Sequence, residues 1–121
     1  MAGASIDEIL YYLEELSNDI FTNSEGIEVE DIYFVAWQIF SIAEEESNRR
    51  AQYKLQETAF KLLTLSADRG HAESLYSLGL CYDLGKGTRE NRTKAHDCYI
   101  AAARKGSEKA QQSCKRLNLT Y

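Results

Sequence analysis

The stretch Gly70-His-Ala-Glu-Ser-Leu-Tyr-Ser-Leu-Gly79-Leu-Cys-Tyr82-Asp-Leu-Gly85-Lys-Gly87 decides the fold. Leu75, Leu78, Gly79 and Tyr82 stand at i, i+3, i+4 and i+7, the spacing of one face of an α-helix. Gly85 and Gly87 end that helix and open backbone conformations that other residues avoid. A second helix follows, with Ala95, Tyr99, Ala102 and Ala103 on one stripe, and its small residues let two helices approach closely. Gly106 comes 36 residues after Gly70. At the same offset, Thr58-Ala59 through Ala67-Asp68-Arg69-Gly70 is echoed by Lys94-Ala95 through Ala103-Arg104-Lys105-Gly106. An echo of that period belongs to stacked helical pairs.

Taken together, Gly70, Ala72, Leu78, Gly79, Tyr82, Gly85, Gly87, Lys94, Ala95, Tyr99, Ala102, Ala103 and Gly106 resemble the Sel-one-like repeat (SLR), a branch of the tetratricopeptide-like α-solenoids. Thr88, Arg89 and Asn91 depart from that family's usual valine, proline and aspartate, and Cys98 from its usual aromatic residue. These departures touch the connecting loop and one packing position. The expected fold is therefore all-α: a short α-solenoid of antiparallel helical hairpins, about six helices, with capping helices at both ends. One domain over 1–121 is expected, with a full repeat at 70–106, a degenerate unit at about 30–69 and a terminal half-unit starting at Gly106-Ser-Glu-Lys-Ala110.

Working outward, Ser5-Ile-Asp-Glu8 reads as a capping box that opens helix 1. Ile6, Ile9, Leu10, Leu13, Leu16 and Ile20 form its expected buried stripe, and Asn23-Ser24-Glu25-Gly26 is a turn. Helix 2 is expected from about Glu30 to Asn48, apolar nearly all the way round, which suits a central helix or one with a second face for a partner. Helix 3 is expected over about Arg50 to Arg69, with Leu55, Ala59, Leu62, Leu63 and Ser66 inward. Helices over Ala72–Leu84, Arg92–Lys105 and Ser107–Leu117 follow.

The 121 residues are 44% hydrophobic and contain no proline, which suits a mostly helical globular chain. No apolar run is long enough to span a bilayer, and Met1-Ala-Gly-Ala has no basic leader, so neither a membrane segment nor a secretory signal is expected. Three cysteines without metal-ligand spacing suit a reduced, cytoplasmic protein. Charge divides sharply along the chain. Residues 1–48 carry 12 acids and no lysine or arginine, whereas residues 49–121 carry 14 basic residues against 7 acids. A split of this kind steers a partner or fixes an internal contact.

Catalytic signals are weak. His71 and His96 form no HExxH or i, i+4 pair and read as ordinary cap or surface residues. Cys98 and His96, two residues apart on a helix, point about 200° apart and make no dyad. Cys81 and Cys98 read as buried small hydrophobes. Gly85-Lys-Gly87-Thr88 lacks the full phosphate-loop spacing, and Glu14, Glu15 and Asp19 read as a solvated helix face. The basic residues are interleaved with acids, so direct nucleic-acid binding is not expected. No catalytic residue, cofactor or metal is expected.

Exposed apolar positions point instead to a protein partner. Tyr76 and Leu80 lie off the core stripe of helix 4, and Phe40 and Glu44 are their equivalents 36 residues earlier, with Trp37 one turn before. The resemblance places such first-helix residues on a binding face. Trp37, Phe40, Tyr76 and Leu80, with Glu44, Glu45 and Asp83, are the expected partner-binding set. Small proteins resembling this family include adaptors and immunity-type proteins that neutralise secreted toxins. A bacterial immunity-type inhibitor of a basic toxin domain is the first expectation. An adaptor, scaffold or secreted effector acting on host proteins is the alternative, and a Cys/His enzyme a minor one.

Overall fold

A computed structural model of the chain describes residues 5–121. Helices α1 (Ile6–Thr22), α2 (Val29–Glu45), α3 (Arg49–Asp68), α4 (Ala72–Leu84), α5 (Arg92–Arg104) and α6 (Glu108–Arg116) follow one another, with one 3-10 turn at Ser24–Gly26. No strand occurs among the described residues. Among the described residues, five of the six helix starts are written in a capping residue. Ser5, Asn48, His71, Asn91 and Ser107 accept the backbone N–H of Glu8, Ala51, Ser74, Lys94 and Ala110. Each such cap contributes about 1 kcal/mol. Glu28 before α2 makes no side-chain cap.

The helix ends repeat as well. At Gly70, Gly106 and Asn118 the backbone turns left-handed, with φ of 88°, 98° and 57°. The next residue then donates back to the carbonyl five positions earlier: His71 to Ser66, Ser107 to Ala102 and Leu119 to Cys114. This is the bond that satisfies the last carbonyls of a helix. Between α2 and α3 no glycine is available. There the Gln52 side chain donates to the Ala43 carbonyl at 2.9 Å and Asn48 caps the next helix, so α2 ends at Glu45, three residues before the expected Asn48, and α3 starts at Arg49.

Consecutive helices pack as antiparallel pairs. Ile32, Ala36, Ile39 and Ala43 of α2 meet Leu55, Ala59, Leu62 and Leu63 of α3, and Leu78 and Cys81 of α4 join that core. A second core gathers Ala95, Tyr99, Ala102 and Ala103 of α5 with Ala110 and Cys114 of α6. Leu75 and Tyr82 of α4 touch both cores and tie the two hairpins together. A Cβ on Gly79 would lie 2.6 Å from the Tyr99 ring and 3.2 Å from the Ala95 carbonyl, so glycine is what lets α4 and α5 close. Hydrogen bonds lock the repeat junction: Ser66 donates to the Val29 carbonyl at 3.0 Å and Ser74 donates to Ser66 at 2.7 Å.

The buried stripe of α1 differs from expectation. Leu10, Leu13 and Ile20 face the core, but Leu16 is 44% exposed and Ser17 is buried, its hydroxyl donating to the Leu13 carbonyl. The helix rests mainly on α3, and one supporting helix covers a narrower stripe than two would. The side chains of Ile6 and Ile9, and the expected leader-free start at 1–4, lie outside the described residues.

Candidate functional site

Helices α2 and α4 each contribute one stripe to a shared cleft over α3. From α2 come Trp37, Phe40 and Glu44, at i, i+3 and i+7. From α4 come Ser77, Leu80, Cys81 and Leu84, at i, i+3, i+4 and i+7. Gln56 and Leu63 of α3 form the floor, and Lys86 closes one end from the α4–α5 loop. The cleft is partly open to solvent and has a volume of about 70 Å³. Cofactor and drug-sized pockets run to several hundred cubic ångströms. The cleft therefore admits the tip of one side chain rather than a metabolite.

Its walls combine rigid and exposed parts. Phe40 is 8% exposed and belongs to the core, while Trp37 remains 41% exposed on the same stripe. The Trp37 ring meets Phe40 edge-on at 6.2 Å and Tyr33 at 6.3 Å, and Tyr33 reaches His71 at 5.0 Å. An aromatic row thus runs along α2 to the start of α4, holding Trp37 upright at low entropic cost. Leu84, 62% exposed, forms the opposite lip. Across the mouth, Lys86 Nζ lies 3.6 Å from Glu44. Gly87 positions that lysine. Its φ is 74°, and a Cβ there would run into the Gln56 carbonyl and come within 2.8 Å of Phe60 Cβ, so the loop lies directly on α3.

The expected binding set is divided by the structure. Trp37, Phe40, Glu44 and Leu80 meet in the cleft. Tyr76 and Asp83 turn to the other side of α4, where Tyr76 packs on Tyr99 at 5.8 Å and Tyr99 donates its hydroxyl to Asp83 at 3.2 Å. Burial, then the Asp83 charge and that hydrogen bond, push the Tyr99 phenol up. Glu45 is exposed and outside the cleft lining. Gln56, Ser77, Cys81, Leu84 and Lys86 are cleft residues absent from the expected set. Leu84 was legible, one turn beyond Leu80. Lys86 was not, because its reach depends on the left-handed loop.

Reactive chemistry is not favoured by the environments of the thiols. Cys81, Cys98 and Cys114 are free thiols. Burial pushes Cys81 up to about 12 and Cys98 up to about 11, and raises Cys114. A nucleophilic cysteine is shifted the other way. His71 is the cap of α4, as one of its sequence readings held, and no cluster of three metal-ligating residues occurs among the described residues. Among those residues no helix is long and apolar enough to cross a membrane.

Antiparallel helical pairs stacked at a 36-residue period define a short α-solenoid. Residues 52–71 and 72–107 match the Sel1 repeat, as the resemblance implied, and repeats of this kind are protein–protein interaction modules. Two relatives are similar over part of the chain. DAP3-binding cell death enhancer 1 from Mus musculus is 37% identical over 62 residues, 51% of this chain and 12% of the relative. Cytochrome c oxidase assembly factor 7 from Xenopus tropicalis is 35% identical over 79 residues, 60% of this chain and 34% of the relative. The chain thus spans between about a tenth and a third of the curated relatives it matches.

Proposed function

We propose that this protein is a non-catalytic binding module that holds a partner protein in the α2/α4 cleft. The observation that carries this reading is the exposed pair Trp37 and Leu84 in the lining of one apolar groove, with Phe40 packed behind the indole. Aromatic anchors at the centre of such a groove dominate binding energies. The raised thiols and the small volume of the cleft support binding over catalysis. The names of the two relatives, one for binding DAP3 and one for assembling an oxidase, support an adaptor or assembly role. Neutralisation of a basic toxin domain is the narrower reading, and it rests on the acidic first 48 residues alone. The relatives compared come from mouse, rat and frogs and lend it no support. A protein partner in a reducing, cytoplasmic setting suits the three free thiols.

The test is a pull-down of the partner from the source organism, repeated with Leu84→Arg and with Tyr53→Arg. Both side chains are exposed, so neither change disturbs the core, and Tyr53 lies outside the cleft lining. Loss of capture with Leu84→Arg alone supports the cleft. Equal capture by both variants removes it.

A further inference from the structure

We infer that the partner presents a basic apolar segment to the cleft. One apolar side chain sits between Trp37, Phe40, Leu80 and Leu84, and a neighbouring lysine or arginine replaces Lys86 on Glu44. This inference rests on the reading of the cleft as the binding surface.

Charge on the walls carries the argument. Helix α2 holds Glu30, Asp31, Glu44 and Glu45, and α4 holds Glu73 and Asp83, and neither helix contains a lysine or arginine. The second helices differ: α3 carries Arg49, Arg50, Lys54 and Lys61, and α5 carries Arg92, Lys94 and Arg104. The repeat therefore keeps its basic residues off the two helices that form the groove. A segment docking in the groove meets acids but no base on these two helices, with Glu44 in the lining itself, and complementary charge selects a cationic one.

The single cation among the cleft-lining residues is Lys86. It comes from a loop, reaches Glu44 at 3.6 Å, and both side chains are well exposed. An exposed pair of this kind contributes little, so a cation brought by a partner displaces it with little loss. Asp83 is engaged by Tyr99, which leaves Glu44 as the carboxylate lining the groove. The apolar half of the segment follows from the lining by Trp37, Phe40, Leu63, Leu80 and Leu84, and the volume of about 70 Å³ fits one side-chain tip.

The test uses three helical peptides without tryptophan, sharing one leucine stripe and flanked by lysine and arginine, by glutamine, or by glutamate. Trp37 is the only tryptophan in the chain, so its emission reports occupancy of the groove directly. The basic peptide is expected to shift that emission and to bind more tightly than the glutamine peptide, by about two- to fivefold for each exposed pair formed. Added salt should shrink the difference. Lys86→Ala should tighten the basic peptide by a similar factor, because Glu44 loses its internal competitor. Glu44→Gln should abolish the advantage of the basic peptide over the neutral one. Preference for the glutamate peptide, or weaker binding of the basic peptide to Lys86→Ala, overturns the inference, for then Lys86 itself recognises an acidic partner. If no peptide moves the emission while Leu84→Arg abolishes natural capture, the cleft stands and the basic segment falls. If Leu84→Arg leaves capture intact, the cleft falls first.

Discussion

Replacing Gly87 and Gly85 by alanine, one at a time, separates backbone strain from close approach in the loop that carries Lys86. Both glycines are left-handed, with φ of 74° and 68°. An alanine there loses about 1–2 kcal/mol to its own Cβ–carbonyl contact, and that cost is common to both positions. The space around them differs. At Gly85 the nearest atom to a new Cβ is the Glu90 nitrogen at 3.5 Å, an ordinary contact. At Gly87 the new Cβ meets the Gln56 carbonyl and lies 2.8 Å from Phe60 Cβ. Gln56 sits in mid-helix between buried Leu55 and Ala59, so the backbone it belongs to has nowhere to move. Overpacking of this sort adds about 1–3 kcal/mol. Gly85→Ala should thus cost about 1–2 kcal/mol, and Gly87→Ala about 2–5 kcal/mol. Urea unfolding followed by circular dichroism reads the difference as a lower midpoint at unchanged slope. Gly87→Ala should also tighten the basic peptide, in the direction of Lys86→Ala, because the loop holds Lys86 against Glu44. Equal costs at the two positions would refute the placement of the loop on α3.

Three further outcomes follow from the packing. Gly79→Leu should destabilise by about 1–3 kcal/mol or more through collision with the Tyr99 ring, offset by up to about 1 kcal/mol of gained helix propensity. Thermal unfolding at the parent temperature would show that α4 and α5 do not close there. Tyr99→Phe should cost about 1–2 kcal/mol, since it removes a hydrogen bond to the Asp83 carboxylate, and an unchanged urea midpoint would deny that bond. The thiols give a pH signature. Their folded values are raised above 9.0, to about 12 for Cys81 and about 11 for Cys98, so the neutral thiol is favoured in the native state. The contribution is complete below pH 9, and is lost as pH rises towards 11 because only the unfolded thiols ionise first. Unfolding midpoints between pH 8 and 11 should therefore fall, less steeply in Cys98→Ala, and native thiols should alkylate slowly.

The helical order was legible in the sequence because its punctuation is local. The start and end of α4 coincide with the reading, since His71 caps one end and Gly85 turns the other. The end of α2 was misjudged by three residues, because the bond that finishes it comes from the Gln52 side chain nine positions on. Within the candidate site, Trp37, Phe40, Glu44 and Leu80 were legible as one helical face 36 residues apart. Tyr76 and Asp83 lie outside the cleft, because seating Gly79 on α5 fixes the rotation of α4 and turns those two towards Tyr99. Lys86 and Gln56 enter the cleft through the approach of a loop to a helix, a contact with no periodic signature.

Trp37 provides the most direct test of the central claim that the α2/α4 cleft is the partner surface. Labelling with a fluorinated tryptophan places one fluorine nucleus in the chain, since Trp37 is the sole tryptophan. Its NMR resonance is then followed while the unlabelled natural partner is added, with complex formation checked by size. The account predicts that the single resonance shifts or broadens in step with complex formation, and that Leu84→Arg suppresses both. A resonance that stays in place while the complex forms would contradict the claim and move the partner surface away from the cleft.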